Sequence, residues 1–251
     1  MPPTNRYRWL AQYYERVFGS MRTWLDSPRR ELLADILPGV ESACDLACGV
    51  GRTALLLARK GIRMFAVDLS ADMCRITRGN ARRARLPVQV VRADMRTFRL
   101  LEPVDLVLCE FDALNHVPSK ADLRSVADSV SRALRSGGHF YFDVNTRLSF
   151  EKLWKGTWWI DKPGIAMAMN SGYDRARDMA WGNVEWFVRE GRLWRRHRER
   201  VEEVCWTAAE IRRTLRAAGF GRIRSWDAAP FMELDPFRQP GIRTLYLAQK
   251  S

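Results

Sequence analysis

Three aspartates and two glycines carry the chemistry that can be read from this sequence. Asp45 ends a short apolar run from Ser42 and is followed by Leu46-Ala47-Cys48-Gly49-Val50-Gly51-Arg52. Gly49 and Gly51 let the backbone turn sharply and approach a ligand with no Cβ in the way. Asp68 follows a second apolar run, Arg63 to Val67, and Asp94 follows a third, Val88 to Val91. Ligands of open α/β sheets bind at the carboxyl ends of the strands. Three acids at three consecutive strand ends, beside a Gly-x-Gly turn, therefore outline a crevice for a small polar ligand.

The elements that position these residues follow from the pattern. Ala43 to Leu46, Arg63 to Val67, Val88 to Val91, Val104 to Leu108 and His139 to Val144 read as strands. Helix-like segments separate them: Thr53 to Lys60, stopped by Gly61; a helix from Ala71 capped by Ser70; and Ser119 to Gly137, with Leu123, Val126, Val130 and Leu134 on one face. Alternating strands and helices mean an α/β fold with a doubly wound, mostly parallel sheet. Near the end, Thr207-Ala-Ala-Glu210 is a capping box. Two strands, Gly221 to Trp226 and Ile242 to Ala248, follow that helix and bring the sheet to seven.

Between Asn145 and Glu203 the rhythm changes. Tryptophans cluster, Val184 to Val188 alternates, and Glu190-Gly191 reads as a hairpin turn, so the segment is expected to be an antiparallel β insertion of two or three long strands. At the front, Tyr7, Trp9, Leu10, Tyr13, Tyr14, Val17 and Phe18 have near-helical spacing. They suit an amphipathic packing helix and an aromatic lid equally. Asp26-Ser27-Pro28 reads as an N-cap with Pro at the first helical position, and Leu32, Leu33, Ile36 and Leu37 as that helix's buried stripe.

The 251 residues suffice for one large α/β domain with an inserted subdomain. Five scattered cysteines in mostly apolar segments suit reduced, buried thiols of a cytoplasmic protein, with no metal site and no disulfide framework. No apolar run is long enough to span a bilayer, and no signal-peptide core follows Met1. The formal net charge of +13 is spread Arg by Arg along the chain and reads as a solvated surface. One stretch, Arg192 to Arg200, sets five arginines around Trp194 and keeps RNA as an alternative partner.

Gly49-Val-Gly-Arg-Thr-Ala54 also fits the G-x-G-x-x-A dinucleotide fingerprint, with Asp68 at a plausible ribose distance. A dinucleotide, however, puts pyrophosphate at the turn, where the Asp45 carboxylate repels it. The same carboxylate attracts an ammonium or sulfonium. Asp45-Leu-Ala47-Cys-Gly49-Val-Gly51 resembles motif I, D-x-G-x-G-x-G, of class I S-adenosylmethionine-dependent methyltransferases, with Ala47 replacing the first glycine. The resemblance runs from about Glu41 to Val144. It is joined by Phe142-Asp143-Val144-Asn145-Thr146, which is similar to a stretch in bacterial small-molecule members with an inserted antiparallel cap.

The resemblance implies S-adenosylmethionine as cofactor, S-adenosylhomocysteine as product, no metal, and methyl transfer by in-line displacement to an N or O atom of a small molecule. It also implies a division into a helical lid (1–40), a cofactor-binding domain (41–146 and 204–251) and a substrate cap (147–203). Asp45, Ala47, Cys48, Gly49 and Gly51 would hold the methionine part and Asp68 the ribose hydroxyls. Leu69 and Met73 would face the adenine, Asp94 its amino group and the Met95 N–H a ring nitrogen, Glu110 and Phe111 would line the path to the methyl group, and Tyr14 completes the cofactor set. His116, on the loop after the fourth strand, is the candidate general base. Tyr13, Asn115, Trp158, Trp159 and Trp186 are the acceptor-pocket candidates. RNA methylation and non-catalytic cofactor binding stand as alternatives, and the protein is expected as a monomer or homodimer.

Overall fold

The computed structural model describes residues 8–18, 25–232 and 238–251. Tyr7 lies outside them, as do the side chains of Leu10 and Tyr14. Seven strands form one sheet in the order β10-β11-β5-β4-β1-β2-β3. They are β1 Ser42–Leu46, β2 Arg63–Asp68, β3 Val88–Arg92, β4 Val104–Cys109, β5 Leu134–Asn145, β10 Phe220–Asp227 and β11 Arg243–Lys250. The pairings among β1 to β5 are parallel, whereas β11 runs antiparallel between β5 and β10. Asp45, Asp68, Asp143 and the acids that follow β4 are thus brought to one end of the sheet, at the carboxyl ends of its parallel strands.

Side chains alternate between two buried layers, as the pleat requires. Cys44, Leu46, Phe65, Val107 and Phe142 face α5 (Lys120–Ala133) and α7 (Ala208–Ala217). Ala43, Met64, Leu106, Leu108 and Tyr141 face α2 (Asp26–Leu32) and α3 (Arg52–Ala58). Central β1 is buried along its whole length. Ser70 caps α4 (Ala71–Ala84) and Thr207–Glu210 forms the capping box of α7, both as the sequence suggests. At α2 the structure differs: Leu25 is the N-cap, and Asp26 instead ion-pairs with Arg29 and Arg52. Two charged partners outcompete the single N–H a capping carboxylate would gain. Of that helix's expected stripe only Leu33 is fully buried. Likewise α5 ends at Ala133, before Gly137-Gly138, because β5 begins at once.

The insertion holds more than was expected. A short helix, α6 (Arg147–Leu153), precedes a four-stranded antiparallel sheet of β6 Gly156–Lys162, β7 Ile165–Asp174, β8 Met179–Glu190 and β9 Leu193–Val204. Gly191, at φ 62°, turns β8 into β9 with Glu190 opposite Leu193. Along β8 the pattern is strict: Val184, Trp186 and Val188 are buried while Glu185 and Phe187 are not. Their covering is α1 (Arg8–Phe18), whose Tyr13 and Val17 join Ile165 and Met167 in one apolar cluster.

One glycine of the turn is sterically obligatory. Gly51 has φ 80°, and a Cβ there would collide with the Thr77 Cγ2 and lie 3.0 Å from its Oγ1. Gly51→Ala is expected to cost about 2 kcal/mol, from positive-φ strain and that clash. Urea denaturation checks this; Gly39→Ala, where a Cβ meets nothing within 4 Å, serves as the control.

Candidate active site

After β1 the chain makes a strained turn. Ala47 takes φ 58°, Gly49 φ 55° and Gly51 φ 80°; of the three only Ala47 carries a Cβ in the left-handed region. The turn is braced on every side. Asp45, buried, accepts from the Ala54 N–H of α3 at 2.9 Å. Asp68 accepts from Gly49 N–H at 2.9 Å and Ser70 N–H at 2.8 Å, tying β2 to the turn. From α4, Thr77 donates to Gly49 O at 2.8 Å and Asn80 to Val50 O at 2.8 Å. Burial raises the proton affinity of Asp68, and the backbone N–H groups hold the rise in check.

Of the rest of the expected cofactor set, Cys48 and Met73 lie at this turn, Leu69 follows β2, and Asp94 and Met95 follow β3. Met73 is buried beside Val50 and Ala11, Cys48 is buried, and Leu69 is 55 % exposed. Met95 packs on the apolar layer under α5. Asp94 is gripped by Arg96, which also pairs with Asp122, and this contact holds the Asp94 carboxyl below its usual range. An adenine amino group would share Asp94 with that guanidinium. Tyr14 lies outside the described side chains.

Glu110 corrects the sequence reading. Its carboxylate is buried against Arg29 of α2, with both oxygens 2.7 Å from Nη1, and accepts from Thr53 Oγ1 at 2.8 Å. It anchors α2 to the sheet and does not line a path to a reacting methyl group. Phe111 and Asp112 follow at φ 61° and 49°, two non-glycine residues in the left-handed region. Such strain persists only where surroundings enforce it. Here Asp143, at the end of β5, accepts from both N–H groups, at 2.7 and 2.9 Å. Arg243, from β11, ion-pairs with Asp143 and, at 3.0 Å, with Asp112.

Asn115 is a second correction. Fully buried, it donates to Asn145 O (3.1 Å) and Val204 O (2.9 Å) and accepts from Asn145 N–H (2.9 Å). Its amide is spent on joining loop, sheet and cap. His116, its neighbour, keeps a partly exposed side chain whose Nδ1 lies 3.2 Å from Glu202 O.

Of the aromatic candidates, Tyr13 and Trp186 form the core between α1 and the cap, with rings 5.8 Å apart, and Trp186 Nε1 donates to Glu199 at 3.1 Å. Both side chains are buried. Trp159 is 59 % exposed beside Phe187, on the opposite face of the cap from Trp186. Trp158, on the Trp186 face, is partly buried and donates to Leu153 O at 3.0 Å.

Sequence reasoning missed Asp112, Asp143, Asn145, Glu203 and Arg243 as candidate site residues. Asp143 and Asn145 had a signal: they end β5 as Asp68 ends β2. Glu203 and Arg243 had none, since each meets its partners only through the tertiary fold.

Comparison with known proteins agrees with this fold. Residues 43–138 match the methyltransferase domain family. A putative methyltransferase, YqeM, of Bacillus subtilis is 26 % identical over 217 residues, 86 % of each chain. An S-adenosylmethionine-dependent methyltransferase from Clostridium acetobutylicum has the same fold, with TM-score 0.81 at 22 % identity over 98 % of this chain and 99 % of that one. The sugar N-methyltransferase KedS8 from Streptoalloteichus superposes with TM-score 0.74 at 19 % identity over 100 % and 94 %. The glycine turn after β1 lies inside the segment that matches the methyltransferase domain family, and the fold as a whole is that of S-adenosylmethionine-dependent methyltransferases.

Proposed function

We propose that this protein moves a methyl group from S-adenosylmethionine to an N or O atom of a small-molecule acceptor. The observation that carries the reading is the turn after β1, with Asp45 behind it and Asp68 hydrogen-bonded across it to Gly49. Those donors and acceptors suit a ligand with an ammonium at one end and a sugar diol at the other. Asp45 and the turn would take the methionine part, Asp68 the ribose hydroxyls, and Leu69, Met73, Asp94 and Met95 the adenine. When bound, the sulfonium supplies an already activated methyl group, so the protein's work is to align the acceptor and exclude water. His116 is the candidate to accept a proton from the acceptor.

Residues 1–40 act in this reading as a lid and 147–203 as an acceptor cap, joined by the Tyr13–Trp186 cluster. The KedS8 likeness, itself a likeness of fold, supports a small acceptor. The basic stretch speaks less for RNA than its sequence suggests. Arg195 pairs with Glu190, Arg196 and Arg198 with Glu185, and Arg200 with Glu202. Among the described residues no helix is long and apolar enough to cross a membrane.

Calorimetry with S-adenosylhomocysteine tests the cofactor, and no heat at millimolar ligand would sink the proposal. Radiolabelled methyl transfer into a small-metabolite extract, run beside bulk RNA, tests the acceptor class. Label should enter the metabolite fraction; transfer to RNA alone would reverse the assignment.

A further inference from the structure

Where the cap meets the ends of β4 and β5, side chains from four distant segments form an ionisable group in which Glu203 and Arg243 are buried and Asp112 and His116 are partly exposed. Asp112 and His116 come from the loop after β4, Asn145 from β5, Glu203 from β9 and Arg243 from β11. Asn145 Nδ2 donates to Asp112 Oδ2 and to Glu203 Oε2, both at 3.0 Å, and so bridges the two carboxyl groups. Arg243 is already committed: Nη1 to Asp143, and Nη2 to Asp112 Oδ1 and Asn145 Oδ1 at 3.0 Å. One oxygen of Asp112, one of Glu203 and a ring nitrogen of His116 all lie within 4.8 Å of one another.

The orientation of His116 follows from its other nitrogen. Nδ1 meets the backbone carbonyl of Glu202, which can only accept, so Nδ1 carries the hydrogen. In the neutral ring the lone pair is therefore on Nε2, 3.9 Å from Glu203 Oε1. The charged groups facing it are Asp112 and Glu203, with Arg243 and Asp143 behind them. Arg243 offsets one negative charge, and Asp143 competes for it. Two further carboxylates bridged by one amide group cannot both ionise there without a large repulsion. Burial, reinforced by the charge of Asp112, pushes the Glu203 carboxyl well up. Burial also raises Asp112, but Arg243 and His116 outweigh it and hold that carboxyl below its usual range.

We propose that Glu203 and Asp112 hold a single proton between them, carried by Glu203, and that the remaining charge makes His116 the proton acceptor of the reaction. The inference rests on the methyltransferase reading above. As the acceptor's lone pair bonds the methyl carbon, the carbon–sulfur bond breaks with its electrons passing to sulfur. The proton released by the acceptor atom is taken by His116 Nε2, and the imidazolium is stabilised by Asp112. Glu203 is a positioning residue, and because it comes from the cap, the pair is complete only with the cap seated on the sheet. Arg243 already supplies the positive charge of this group, which is why a proton, and not a metal ion, is assigned to it.

The test needs no known acceptor. The His116 ring is titrated by NMR in the full-length protein, in Asp112→Asn, in Glu203→Gln and in the double variant. Removing either carboxyl alone leaves one free to ionise, so each single variant should titrate close to wild type. The double variant has none, and its midpoint should move to lower pH by about one unit, the scale of one close opposite charge. Additive shifts in the single variants, or no shift in the double, would overturn the pair. Should the double variant fail to fold, carboxyl ¹³C spectra of the wild type decide. One protonated and one ionised carboxyl are expected at pH 7, and two ionised ones would refute it. S-adenosylhomocysteine calorimetry on the same samples reports separately on the function proposed above, because loss of binding in wild type would leave the proton pair standing.

Discussion

Asp68→Ala should weaken S-adenosylhomocysteine binding about 100-fold or more. In the proposed placement the carboxylate accepts two ribose hydroxyls while it continues to hold the Gly49 and Ser70 N–H groups. Hydrogen bonds to a charged acceptor contribute roughly 1.5 kcal/mol or more each, so losing two costs about 3 kcal/mol, or about two decades of affinity. Releasing Gly49 N–H adds to this, because the turn must then be ordered by the ligand. Asp68→Asn retains one acceptor oxygen and should fall between, near tenfold. Calorimetry reads both, and a melting curve on each variant separates lost contact from lost fold. An affinity for Asp68→Ala within threefold of wild type would refute the cofactor placement.

The sheet was legible because its information is local. Apolar runs lead to Asp45, Asp68 and Asp94, glycines follow the first and a capping serine the second, and each strand is read without knowing its neighbours. The same locality explains the failures. Glu110 looks like one more strand-end acid, but its partner Arg29 lies 81 residues earlier and takes the carboxylate out of the site. Val184 to Val188 shows by alternation which side is buried, yet not that α1 covers it and makes Trp186 core. Asn115 sits on the right loop with a polar amide, and only the converging carbonyls of Asn145 and Val204 reveal it as a brace. α6 is only seven residues long, too short for a hydrophobic period to show. The part of the site that sequence could not show is the part assembled from the cap and β11, 58 and 98 residues from Asn145.

Arg243 is the residue on which that assembly most depends, and Arg243→Met should destabilise the protein by about 3–5 kcal/mol near neutral pH. Removing one member of a buried ion pair leaves the others desolvated and uncompensated. Asp143, fully buried, would be so left, and Asp112, partly buried, in part. The loss should depend on pH in a definite direction. Burial, against the pull of Arg243, leaves the Asp143 carboxyl at about 6, above its unfolded value of 3.8. A folded-state value above the unfolded one favours the folded protein while the carboxyl is protonated, and that stability is lost as pH rises from about 4 through about 6. Without Arg243 the window extends upward, because nothing offsets burial. Asp112 has the opposite sign: lowered in the fold, it contributes stability above the unfolded value that disappears in acid, and the variant forfeits it at pH 5 and pH 8 alike. The variant's deficit should therefore be larger at pH 8 than at pH 5, with a melting shift on the order of 10 °C at the higher pH. Urea denaturation at the two pH values measures it. Equal deficits would mean that Arg243 matters for the volume it fills and not for its charge, which would also remove the counter-charge on which the Asp112–Glu203 pair depends.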